Sequence, residues 1–198
     1  MSVWIAVASP LAALDHQLLT IHMVKHLLLM AVASPLILLG LPTQRSAGIF
    51  RHLVWCWLAS TATVIGWHIP AAFQLALESH WWHGMEQTSF LLAGLLFWWP
   101  VVQSRPSERH EWSVPFYLFL ATLPCDILSA FLAFCGRVVY PSYLAAPRLF
   151  DLSPLQDQEF AGALMWVSVT LIYLIPAVII TVQILSPGVP AAAKAVQS

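Results

Sequence analysis

Asp15-His16-Gln17-Leu18-Leu19-Thr20-Ile21-His22-Met23-Val24-Lys25-His26-Leu27-Leu28-Leu29-Met30 opens an apolar run that continues to Gly40 and is long enough to span a bilayer. Into that run the sequence sets three histidines and a lysine. A helix turns by about 100° per residue, so His22 and His26, at i and i+4, lie on one face a turn apart. Asp15 precedes His22 by seven residues and points roughly the same way. Ionisable groups inside an apolar span are costly and face a protein interior or a watery cavity. The stretch therefore reads as half of a buried polar site, and other helices must supply the rest.

Composition supports the membrane reading. Of 198 residues, 60% are hydrophobic and 9% charged, and the mean hydropathy is +0.78. Soluble domains carry roughly a quarter charged residues. No alternating ten-residue strand pattern is present, which argues against a β-barrel. The expected fold class is all-α: a single polytopic membrane helix bundle over 1–198, with about five transmembrane helices plus short interfacial helices. A formal net charge of −1 gives no footprint for nucleic acid. Ten tryptophans and fourteen prolines suit interfacial anchoring and helix ends or kinks. Cys56 and Cys125 fall inside apolar spans and Cys135 at the end of one, so free thiols are expected. The start of the chain has no basic segment before its apolar run, so no cleaved signal peptide is expected.

The spans follow in order. Val3–Leu14 is too short to cross alone and reads as interfacial or as an outer extension of the first helix. The first span is about Gln17–Gly40, broken near Ser34-Pro35. The second is about His52–Trp67, ending at His68-Ile69-Pro70. Ala71–Ser79 reads as a short amphipathic surface helix. The third span is about Trp81–Val102, the fourth about Trp112–Cys135 and the last about Phe160–Leu185, with 186–198 as a flexible cytoplasmic tail. Arg45, Arg51, Arg105, Arg109 and Lys194 then share one side, the cytoplasm by the positive-inside rule. Arg137 and Arg148 oppose this from a longer loop that also holds Asp151, Asp157 and Glu159.

This topology gathers six of the eight histidines at the outer leaflet. His16, His22 and His26 descend helix one, His68 ends helix two, and His80 and His83 open helix three beside Met85 and Glu86. Asp157 and Gln158 stand at the outer start of the last helix. Asp126 falls at about the depth of His26, roughly 13 Å in at the helical rise. His83-Gly84-Met85-Glu86 puts an imidazole and a carboxylate at i,i+3 on one face. Imidazole suits Zn, Cu, Fe and Ni, and sulfur ligands favour cuprous copper. Lys25 can neutralise Asp126 or Glu86. Trp81/Trp82 and Trp98/Trp99 read as interfacial belts, and Gly94 and Gly162 as points of close helix packing.

The motifs resemble those of a known family. His22-Met-Val-Lys-His26-Leu-Leu-Leu, then Ser34-Pro35-Leu-Ile-Leu-Leu-Gly40-Leu-Pro42, is similar to the first motif of the CtaG-type cytochrome c oxidase assembly factors. Trp67-His68-Ile-Pro70, His83-Gly-Met-Glu86 and Leu95-Leu-Phe97-Trp98-Trp99-Pro100 resemble the central motif. Tyr140-Pro-Ser-Tyr143 and Asp157-Gln158-Glu159-Phe-Ala161-Gly162-Ala-Leu-Met165-Trp166 resemble the closing ones, so the likeness covers residues 14–166. It implies a multi-pass protein of the bacterial inner membrane that helps supply copper to the oxidase, and the arginine placement puts its N-terminus outside. Its partners would be an oxidase subunit or a copper donor protein, in the membrane lipid and with an oligomer open. The implied functional positions are His22, His26, His68, His83, Glu86 and Asp157. Where the family motif commonly continues Glu-His, this chain has Glu86-Gln87.

Three readings of the cluster stand side by side. In the first, His22, His26, His68 and His83 bind copper near the periplasmic leaflet, supported by Glu86, Asp157, Asp126, His16, His80 and Met85, and the protein is a metallochaperone and not an enzyme. In the second, a zinc hydrolase uses three histidines, with Glu86 as general base and Asp126 as fourth ligand or proton carrier. In the third, histidines from different helices ligate haem b.

Overall fold

The computed structural model describes residues 17–42, 52–103, 112–146 and 151–186, and these contain helices, turns and connections without a strand. Helix α1 runs Leu19–Leu39, with a π-helical stretch Leu28–Ala33 between α-helical Leu19–Leu27 and Ser34–Leu39. It is followed by α2 (Leu53–His68), α3 (Pro70–Glu78), α4 (His80–Val102), α5 (Ser113–Phe134) and α6 (Pro154–Leu185), with a 3-10 turn at Pro141–Leu144. Helices α1, α5 and α6 are each long and apolar enough to cross a membrane. At 16 residues α2 extends about 24 Å, and α4 opens with the polar His80, His83, Glu86 and Gln87. The five expected spans thus all exist as helices, and three of them meet the length and apolarity of a crossing unaided. Asp15, His16, the arginines 45, 51, 105, 109 and 148, and Lys194 lie outside the described residues.

The break expected at Ser34-Pro35 is a change of winding instead. Proline has no N–H, and in an α-turn its ring would strike the carbonyl four residues back. The wider π turn ahead of Pro35 accommodates the ring and leaves carbonyls that need donors, because lipid offers none. Ser34 Oγ donates to the Leu29 carbonyl at 2.8 Å, and Trp98 Nε1 donates to that of Met30 at 3.1 Å. Trp98 is therefore buried against α1, not part of an interfacial belt. Gly94 lets α4 approach this turn: a Cβ there would lie 2.8 Å from both Cα and O of Met30 and would overlap Ser34 Oγ. Gly162 does the same between α6 and α5, where a Cβ would meet the Ala133 nitrogen at 2.7 Å.

Direction alternates along the five long helices, and several of their ends are fastened to other helices. Leu18, before α1, gives it no side-chain cap. The orphan N–H groups of Leu19 and Thr20 donate instead to the Asp157 carboxylate on α6, at 2.6 and 3.1 Å, and Thr20 Oγ1 donates to it at 2.6 Å. The next residue works at the other polarity. Gln158 Nε2 donates to the carbonyls of Leu132 (3.1 Å) and Arg137 (3.0 Å), closing the C-terminus of α5, while its Oε1 accepts from Val139 N at 2.7 Å. Tyr140 Oη donates to the His68 carbonyl at the end of α2, 3.0 Å away. Burial, aided by the Glu86 charge, holds that phenol above the ordinary tyrosine range, so it stays a donor. At the opposite end Gln103 Nε2 donates to the Leu38 carbonyl at 2.5 Å. Helix α3, expected as a surface helix over Ala71–Ser79, starts at Pro70 and turns Phe73 and Ala76 fully inward.

Candidate metal centre

Two helices build the centre. The i,i+4 spacing on α1 aims His22 and His26 at α4, and the i,i+3 spacing on α4 aims His83 and Glu86 back. Glu86 is fully buried at the middle. Its Oε1 lies 3.3 Å from His22 Nε2 and 3.5 Å from His26 Nε2, and its Oε2 lies 3.5 Å from His83 Nδ1. The two α1 rings meet edge-on at 4.5 Å between centroids. One ligand atom from each of His22, His26 and Glu86 fits within 4.8 Å of the others, which makes these three a group able to hold a single ion.

Around this group sits a second ring of contacts. The His83 ring is 6.1 Å from that of His22, and the His68 ring is 6.1 Å from that of His26. Lys25, buried despite its charge, brings Nζ to 3.2 Å from His83 Nε2. An ammonium only donates, so that nitrogen accepts, and His83 carries its proton on Nδ1, facing Glu86. Lys25 and Glu86 thus neutralise each other through an imidazole. Lys25 was expected to pair with Asp126 or Glu86; its contact with His83 links it to Glu86. Phe90 stacks on His26 at 3.8 Å and 14°, and Phe73 covers His22 at 4.8 Å, itself stacked on Tyr140 at 4.1 Å. These rings exclude water and fix the imidazole planes.

The other sequence candidates fall elsewhere. Asp157 is occupied in capping α1, so its carboxylate serves the fold. Asp126 is half-buried on α5 and accepts from Thr170 Oγ1 of α6 at 3.2 Å. It matches His26 in depth along the chain, but the rotation of α5 turns it to α6. Met85 is 44% exposed and His80 is exposed, both on the face of α4 that carries Trp81 and Thr88, away from Glu86. His16 lies outside the described residues. Cys135 Sγ donates to the Arg137 carbonyl at 3.0 Å, and Cys56, Cys125 and Cys135 form no disulfide with one another, as expected. Sequence reasoning missed the covering aromatics Phe73, Phe90 and Tyr140, for which only their place beside motif histidines was a signal.

Two imidazoles and a carboxylate, with two further imidazoles at hand, form a donor set suited to copper or zinc. The sequence matches the cytochrome c oxidase caa3 assembly factor family (Caa3_CtaG) over residues 1–186. The chain belongs to that family. No curated protein and no solved structure matches it. The family motifs acquire distinct jobs in this fold: those of α1 and α4 converge on Glu86, whereas Tyr140, Asp157 and Gln158 tie helix ends together around it. Gln87, beside Glu86, is half-buried, and its amide has no hydrogen-bond partner among the described residues.

Proposed function

We propose that this assembly factor binds a copper ion at His22, His26 and Glu86, with His68 and His83 as neighbouring ligands, and passes it to an apo-oxidase subunit. The observation that carries the reading is convergence: Nε2 of two imidazoles from α1 meets a carboxylate from α4, all buried, in a span where such groups are otherwise costly. The same tight packing favours a bare ion over a haem macrocycle. It also disfavours the zinc hydrolase, because both Glu86 oxygens already face imidazoles, whereas a general base must face a water. In this reading all five long helices cross the bacterial inner membrane, and the arginine-rich loops set the cluster at the periplasmic leaflet. The test is anaerobic reconstitution of the purified full chain with Cu(I), followed by metal analysis. Near-stoichiometric copper is expected, lost in His22→Ala and His26→Ala. Failure of the wild-type protein to retain copper or zinc would overturn the reading.

A further inference from the structure

Beside the histidine cluster lies a cavity of about 30 Å³, lined by residues of α1, α2, α4, α5 and α6. Three of the five methionines in the chain line it, Met23 and Met30 from α1 and Met165 from α6. Cys125 from α5 and the rings of His26 and His68 complete the polarisable part of its wall. The placement follows from helical spacing. His22, His26 and Met30 stand at i, i+4 and i+8, a ladder that descends α1 from nitrogen to sulfur, about 6 Å per step.

Met fills irregular gaps in apolar cores, and that alone accounts for three thioethers in one place. It does not account for His68. Nδ1 of that residue lies 2.7 Å from the Val64 carbonyl, so it must carry the ring proton and donate it. Nε2 is then left with a bare lone pair. It is buried, on a side chain 5% exposed, and has no hydrogen-bond partner among the described residues. Nδ1 of His26 also has no hydrogen-bond partner among those residues. A buried acceptor without a donor costs about 1–3 kcal/mol. The volume suits one water or one ion, but a water needs two to four polar partners, and besides the two imidazoles the lining residues bring only the Cys125 thiol and the Tyr173 hydroxyl. A soft monovalent cation needs no donors, and it is bound by thioether, thiol and imidazole alike.

We infer that this cavity is a second, inner station for Cu(I), held by the thioethers of Met23, Met30 and Met165 and by Nε2 of His68, with His26 shared between the two stations. The inference rests on the copper reading of the histidine cluster and adds to it an oxidation state and a path. The ion enters at the nitrogen- and oxygen-rich group, which tolerates several metals. It then meets a sulfur-rich station that admits only a soft one. Binding by thioether and neutral imidazole involves no electron transfer and releases no proton.

The test uses the full chain labelled with selenomethionine, loaded anaerobically with Cu(I) alone or Zn(II) alone. X-ray absorption at the selenium edge should show a copper neighbour in the Cu(I) sample and no zinc neighbour in the other. In parallel, Met30→Leu combined with Met165→Leu should weaken Cu(I) binding by about tenfold or more while Zn(II) binding changes less than about twofold, since loss of even indirect ligand support costs 10–100-fold. Retained Zn(II) binding also shows that the variant has folded. Stoichiometric Cu(I) without selenium–copper scattering, and unchanged in the double variant, would overturn the inner station and leave the histidine site standing. A protein that holds neither metal would overturn both.

Discussion

Replacing Asp157 by alanine separates two roles that sequence motifs alone confuse. As a ligand, Asp157 would matter to the ion and little to stability; as a cap, the reverse. The structure assigns it three donors, Leu19 N at 2.6 Å, Thr20 N at 3.1 Å and Thr20 Oγ1 at 2.6 Å. Loss of a helix cap costs about 0.5–2 kcal/mol, and leaving a buried N–H without an acceptor costs about 1–3 kcal/mol more. The two overlap in part, so Asp157→Ala should destabilise the protein by about 1.5–4 kcal/mol. At about 2–4 °C per kcal/mol for a chain of this size, the thermal midpoint falls by about 3–16 °C. Tryptophan fluorescence of the detergent-solubilised chain, at one fixed scan rate, reads that shift. With copper bound at the proposed site, the copper content per folded protein stays at the wild-type value. Asp157→Asn keeps an acceptor but loses the charge that favours a helix N-terminus, and falls between the two. A variant that melts like wild type yet loses its copper would refute the capping assignment outright.

Two further perturbations probe the core of the centre and its support. Glu86→Gln removes the anion that neutralises Lys25, which should destabilise the protein by about 3–5 kcal/mol. Adding Lys25→Met should recover part of that loss in the thermal midpoint, whereas simple additivity of the two changes would break the relay argument. Gly94→Ala drives a methyl group into the Met30 backbone, 2.8 Å away at both Cα and O. Separation of α1 from α4 should destabilise by about 1–3 kcal/mol and lower metal occupancy too, since His22, His26 and Glu86 sit on those helices. Unchanged melting and occupancy would show that the helices can part there freely.

Periodicity carried the sequence reading as far as local chemistry reaches. The spacings within His22/His26 and His83/Glu86 fix which face each pair occupies, and alternating direction brings those faces to one end of the bundle. Depth was readable in the same way. Rotation was not: Asp126 has the right depth, but which neighbour it meets depends on how α5 is turned against α6, and an apolar helix with few polar residues leaves that angle open. Capping in trans was equally hidden. Asp157 lies 138 residues from the N–H it satisfies, and nothing near Leu19 signals a missing cap except the absence of Ser, Thr, Asp or Asn just before it. The winding change at Pro35 needed the partner helix as well, because Gly94 and Trp98 make the π turn tolerable from outside α1.

A carboxylate enclosed by imidazoles also explains how a centre can stay open to an ion without collapsing. Nε2 of His22 and Nε2 of His26 both point at Oε1 of Glu86, at 3.3 and 3.5 Å. Those are slightly long for charge-assisted hydrogen bonds, and short enough that one cation placed among the three atoms would replace proton contacts without a change of rotamer. The rings cannot swing away, since Phe90 stacks on one and Phe73 lies against the other. Phe73 is held by Tyr140, and Tyr140 by the carbonyl of His68. The residues that tie helix ends together therefore also set the ligand geometry, which is why motifs far from the centre in sequence belong to it physically.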